Sequence, residues 1–284
     1  MMRFFSTIKI ASAILFAFLW INVTAVRAES CPAERQCATA KPCKKADLPN
    51  LHGYWVLAVS WQPGFCETRN QPGCPVECRN APSSPSLTLH GLWPQWSEYC
   101  GVSAADLRCA CARNRSHLPA VSLSPAVETS LSAVMPGHQS LLERHQWIKH
   151  GTCSGLSPDD YFALAVRLTE TLNQSGLHTL LAENAGSHIR YAQLCATLRA
   201  AFGPKAASAV EIQQISGTGP HGNVNFLTGL LFWLQPIDGM LGLHPENFVA
   251  IDPDWLTLSG SKPQPLCSLP PQKTVFIDKP GLGR

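Results

Sequence analysis

No apolar run in the 284 residues is long enough to cross a membrane. The stretch from Ile10 to about Ile21 falls short of the roughly 20 residues a spanning helix needs, and nothing later resembles a span. A membrane anchor is therefore set aside. Arg3 and Lys9 precede this run, and Val26-Arg27-Ala28 closes it in a small-residue pattern, so residues 1–28 read as a secretory signal peptide cleaved after Ala28. A basic excess is missing too. Arg3, Lys9 and Arg27 leave with the signal and no acidic residue does, so the 256-residue mature chain retains 19 basic against 19 acidic residues. That balance argues against nucleic-acid binding carried mainly by phosphate electrostatics at neutral pH. The ten histidines would add positive charge only as the pH falls through about 6.5. Internal repeats and long low-complexity runs are absent as well, and the length fits one larger domain.

Cysteine is what the chain has in quantity. All twelve cysteines follow Ala28, and an even number in an exported chain points to disulfides. Cys74-x-x-x-Cys78 and Cys109-x-Cys111 also have spacings compatible with a metal or redox site. Residues 29–48 bear Cys and Lys but few large apolar groups and no period, so they read as an irregular, disulfide-pinned extension to a domain covering 49–284.

Within that domain Gly53–Trp61 reads as a buried strand ended by Gln62-Pro63-Gly64, and Ser86–His90 as a second. In the second, Leu87 and Leu89 face the core and His90 the opposite side. Residues 94–119 read as a Cys-rich loop. Helices are expected at about 125–135, 139–150, 158–173 and 189–202, the third announced by Ser157 as N-cap, Pro158, and Asp159 and Asp160 in the first turn. Strands are expected at 210–215, 226–234 and 273–278. Strands on both sides of a helical block give an α+β fold, with a central antiparallel sheet, helices packed on it, and disulfides stabilising a single domain.

The segment Leu141–Cys153 concentrates the chemistry. On a helix, His145 with Lys149 and Gln146 with His150 form neighbouring i,i+4 pairs, which gather two imidazoles, an ammonium and an amide on one face. Leu141, Trp147 and Ile148 fall on the other side, Gly151 suits a helix stop, and Cys153 can tie this face to Cys100, its expected partner. By itself the cluster also fits a solvated polar face. Upstream, Leu87-Thr88-Leu89-His90-Gly91-Leu92-Trp93-Pro94 sets a histidine at a strand end before Gly and an aromatic. That histidine fits a satisfied core residue equally well.

Taken together the two segments resemble the active-site motifs of the T2 family of ribonucleases, HGLWP for the first and HGTC closing the second, in the family's order and about 60 residues apart. Ser60–Cys66 and Thr274–Asp278 also look like family strands, so the resemblance extends over about residues 53–279. It implies RNA cleavage through the ribose 2′-hydroxyl, with His150 as base and His90 as acid, Lys149 stabilising phosphoryl charge and a protonated His145 binding phosphate. It implies no cofactor or metal, single-stranded RNA as partner, a monomer, and no membrane association after signal cleavage. Bases are expected to stack on Trp93, Trp96 or Tyr99, Trp93 being equally suited to the core, and Gln95 to read a base edge with little discrimination. Gln146 departs from the family, which usually has glutamate there; an amide supplies no negative charge to hold His145 or Lys149 protonated. Two rival readings remain: a catalytically impaired RNA-binding relative, and a disulfide-rich exported metal-binding protein. Asn114-Arg115-Ser116 and Asn173-Gln174-Ser175 match glycosylation sequons.

Overall fold

The computed structural model describes residues 51–67, 76–79, 85–219, 222–252, 254–255 and 262–280. The expected signal peptide and the extension at 29–48 lie outside these residues. The fold is a mixed α+β domain built on one six-stranded sheet, in the order β2-β1-β5-β6-β3 with β4 paired to β5. Strand β1, Trp55–Trp61, contains no charged residue and is buried at all seven positions. It lies between β2 (Leu87–Pro94) and β5 (Gly222–Leu234), antiparallel to both. Strand β4 (Val210–Gly219) forms a long hairpin with β5, and β3 (Ser187–Arg190) pairs antiparallel with β6 (Thr274–Ile277). The antiparallel expectation needs one correction: β5 meets β6 in parallel, through Phe226 and Phe276.

The second strand also runs further than its alternation suggested. Its pairing with β1 passes from Val59↔Leu89 to Ala58↔Gly91, leaving His90 as an extra residue in a bulge. A bulge shifts the inside–outside phase by one. Leu87, Leu89 and Leu92 consequently all reach the core, at 1%, 2% and 0% exposure, and the strand absorbs the whole motif to Pro94.

Two short helices, α1 (Gln62–Glu67) and α2 (Val76–Arg79), follow β1. Helix α3 (Ala104–Cys111) occupies the expected loop, with Ser103 as N-cap accepting from the Asp106 amide at 3.1 Å. Helix α4 spans Pro125–Val134. The expected helix at 139–150 is divided: a 3-10 turn covers Pro136–Ser140, Leu141 takes the left-handed conformation (φ 59°), and α5 is confined to Leu142–Lys149. Helix α6, Pro158–Asn173, has its expected ends, and α7 (Gly176–Glu183) and α8 (Tyr191–Phe202) complete the layer.

Helix α6 fixes β2 at two points. Tyr161 donates its hydroxyl to the Leu92 carbonyl at 2.6 Å, while Asn173 accepts from the Leu87 amide at 3.0 Å and donates to the Leu87 carbonyl at 2.8 Å. The sequon asparagine Asn173 is thus committed to strand β2. Asn114 is likewise buried, its side-chain oxygen engaged by Ser116 and His117. Asn173→Ala removes partners from two backbone groups and should lower unfolding free energy by about 2 kcal/mol, read from urea denaturation; an unchanged midpoint would show the strap to be dispensable.

Candidate active site

Strand β2 and the end of α5 approach closely because position 91 carries no side chain. A Cβ on Gly91 would strike the Gln146 side-chain oxygen and the Trp93 indole nitrogen. Gly151 does the same for the second motif, since a Cβ there would run into the Trp147 ring. Across the first gap, Trp93 Nε1 donates to Gln146 Oε1 at 2.8 Å, and Gln146 is buried. The indole stacks on His150, with centroids 5.3 Å apart and planes at 25°. It meets His90 edge-to-face at 5.7 Å. Both motif histidines therefore rest on one indole. His150, expected as the last helical residue, is instead the C-cap of α5, and it is 5% exposed.

Of these side chains, His90, Trp93 and His150 line a cleft of about 420 Å³. From β2, the segment after it and the end of α5 come His90, Trp93, Gln95, Glu98, Lys149 and His150. The sheet contributes Val56, Val59 and Ser60 from β1, Glu211 and Gln213 from β4, and Thr228, Gly229, Leu231 and Trp233 from β5, with Phe65 from α1. Cys100 and Cys153 are bonded to each other, as expected, beside Lys149.

Burial and crowding by cations govern the histidines. His150 is held well below the usual imidazole range, first by burial and then by Lys149, His145 and His90. His145 is pushed down to about 3 by burial, then by Lys149, Arg115, His90 and Arg113. Both rings are therefore neutral at neutral pH in the free protein. Phosphate binding by His145 was expected only of its protonated form, which is not the form in the free protein. Lys149 Nζ lies 3.1 Å from Glu98 Oε1. Burial raises the Glu98 carboxyl, an effect opposed by the Lys149 charge. Glu211 is raised by burial too, against hydrogen bonds to Oε1 from Trp233 Nε1 (2.6 Å) and to Oε2 from the Gln264 amide (3.3 Å).

Of the residues singled out in the sequence, His90, Trp93, Gln95, Lys149 and His150 come together in the cleft lining, with Gln146 bonded to Trp93. His145 is not part of that lining. Trp96 packs against His52 and Trp55, with centroids 5.1 and 5.3 Å away. Tyr99 is buried in a small core with Leu118 and Ile148. Neither ring is presented to the cleft, because the chain after Pro94 folds back: the Gln95 amide donates to the Tyr54 carbonyl and the Tyr99 amide to the Lys149 carbonyl. Glu98, Glu211, Gln213 and Thr228 went unanticipated. Glu98 alone had a signal, being two residues from the expected partner of Cys153. Cys74 lies outside the described residues; among the described ones the metal and redox reading is not supported, since Cys78 is bonded to Cys66, and Cys109 and Cys111 are in disulfides.

Two measurements follow. Gly91→Ala should cost about 1–3 kcal/mol of stability by overpacking, with a change in Trp93 fluorescence as the indole leaves Gln146; a variant with the parent's spectrum and melting temperature would count against this packing. The second concerns acid. Folded His145 and His150 titrate below the ordinary 6.5, so the unfolded chain binds more protons and stability present above about 6.5 declines as pH falls toward about 3. His145→Gln should show a shallower fall of melting temperature between pH 7 and 4; equal slopes would contradict a neutral His145.

A family model described as the ribonuclease T2 family matches residues 52–208. The chain is 30% identical over 182 residues to ribonuclease I of Escherichia coli (strain K12), covering 56% of this chain and 68% of that one. It is 32% identical over 123 residues to a ribonuclease of Aeromonas hydrophila, covering 43% and 47%. The match thus spans about two thirds of the first relative and about half of the second. Among solved structures, the self-incompatibility associated SF11-RNase of Nicotiana alata aligns over 80% of this chain and 98% of its own, at 13% identity and a TM-score of 0.49. On the family model and the Escherichia coli relative, this chain belongs to the ribonuclease T2 family.

Proposed function

We propose that the protein is an exported endoribonuclease that cleaves single-stranded RNA by transphosphorylation, first to 2′,3′-cyclic phosphate and then to 3′-phosphate ends. The observation that carries this reading is the placement of His90 and His150 against one indole, in one cleft, beside Lys149. His150 is suited to the base: burial and neighbouring cations keep its ring unprotonated, the state needed to take the proton from a 2′-hydroxyl. The 2′-oxygen attacks the adjacent phosphorus, the bond to the 5′-oxygen breaks, and His90 delivers a proton to that leaving oxygen. In the second step water replaces the nucleoside, His90 takes its proton, and His150 returns one to the 2′-oxygen.

Lys149 supplies positive charge to the phosphoryl oxygens as negative charge builds on them. His145, neutral before substrate arrives, still has one ring N–H to donate. Trp93 acts chiefly as the platform for both histidines, with one face taken by His150. Gln95 donates to the Trp93 carbonyl at 3.1 Å, and an amide so held reads bases broadly. The scheme requires no metal, and disulfides throughout the described cysteines suit an oxidising compartment. Among the described residues, no helix is long and apolar enough to cross a membrane.

The test uses purified mature protein with RNA, DNA and 2′-O-methyl RNA. RNA alone should be cut, in EDTA, with cyclic phosphate ends early and loss of activity on disulfide reduction. His90→Ala and His150→Ala should each lower kcat at least about a hundredfold, with His117→Ala as control. Cleavage of DNA at a comparable rate, or full activity in either folded variant, would overturn the mechanism.

A further inference from the structure

Position 146 carries an amide, and the cleft holds a carboxylate from a different part of the chain. Glu98 sits between β2 and α3, with its side chain 8% exposed and Oε1 3.1 Å from Lys149 Nζ. Three consecutive residues fasten it to the end of α5. Glu98 pairs with the Lys149 side chain, the Tyr99 amide donates to the Lys149 carbonyl at 2.9 Å, and Cys100 is bonded to Cys153. Tyr99 takes a left-handed backbone (φ 57°) to make this turn, a conformation that a bulky residue holds only when its surroundings enforce it. Burial of its ring with Leu118 and Ile148 provides that enforcement. The carboxylate is thus held in place before any substrate arrives.

We propose that Glu98 is a positioning residue for Lys149, standing in for the carboxylate that position 146 lacks. Gln146 still performs the packing task of its position, accepting from Trp93, but the negative charge beside the ammonium comes from Glu98. A charge-assisted hydrogen bond at this distance fixes the long, otherwise mobile lysine side chain where the phosphoryl oxygens would develop charge. Lys149 is 29% exposed and retains donors for the substrate. The other titratable groups lining this cleft are His90 from β2, His150 after α5 and Glu211 from β4.

This inference rests on the cleft being the RNA-cleaving site, and the experiment separates the two. Steady-state rates on a single-stranded RNA oligonucleotide are measured against pH for the parent, Glu98→Gln, Glu98→Asp, Gln146→Glu and Glu98→Gln/Gln146→Glu, each checked by thermal melting. Glu98→Gln should lower kcat about ten- to a hundredfold, the size expected when a charge-stabilising group loses its placement, with KM changed less. The alkaline limb of kcat/KM should move to lower pH as a negative charge leaves the cleft. Glu98→Asp should retain part of the rate, and Gln146→Glu in the Glu98→Gln background should recover some of the loss. Parent-like or faster kinetics in Glu98→Gln, or a loss explained by lowered melting with an unmoved pH profile, would overturn the inference. A parent protein inactive on RNA removes the reading of the cleft and this inference with it, whereas an active parent with an indifferent Glu98 removes this inference alone.

Discussion

The hydrogen bond from the Trp93 indole to the Gln146 side-chain oxygen is the joint on which the site depends. It crosses from strand β2 to helix α5 in a buried gap, where an unpaired indole N–H or amide oxygen would cost more than the bond itself gains in water. That asymmetry sets the position of the helix along the strand. With the indole fixed, both histidines are fixed, since one stacks on it and the other meets its plane at a right angle. Gly91 allows the approach, and α6 keeps the strand from shifting through Tyr161 and Asn173.

Charge is organised locally rather than across the whole molecule. Residues 29–284 carry 19 basic and 19 acidic residues, yet Lys149, Arg113 and Arg115 act together on His145. Their summed effect, with burial, is to deny a proton to His145, as burial and Lys149 do for His150. A polyanion entering this cleft meets the Lys149 ammonium and the uncharged His150 ring, a combination suited to removing a proton while tolerating negative charge.

What was legible in the sequence depended on whether a signal was local. Helix α6 was readable to the residue, because Ser157, Pro158 and two aspartates mark its start and an apolar stripe marks its length. The core strands β1, β4, β5 and β6 were visible from β-branched and aromatic content. Helix α3 was hidden because its cysteines made the region look like loop, and β3 because a four-residue edge strand has too few residues to show a period. The break at Leu141 left no mark, since a leucine in the left-handed region is imposed by packing and not by composition. His90 and His150 were legible as a pair only through the motifs around them. Glu98 was not, because its partner lies 51 positions away in the numbering and only the folded chain joins them. Trp96 and Tyr99 misled for the same reason: aromatic identity suits a base or a core, and the turn after Pro94 decides between them.

The cleft draws its lining from two stretches of unequal standing. His90, Trp93, Lys149 and His150 lie inside the region matched by the family model, whereas Glu211, Gln213, Thr228, Gly229, Leu231 and Trp233 lie beyond residue 208. The β4–β5 hairpin that carries the latter is continuous with the sheet through β1, so strand pairing places its backbone while its side chains stand apart from the paired histidines. Substitutions there can reshape what the groove accommodates without disturbing the joint between strand and helix. The molecule is divisible: one half of the groove carries the paired histidines and the lysine, and the other is a separate surface on which the shape of the groove can be altered.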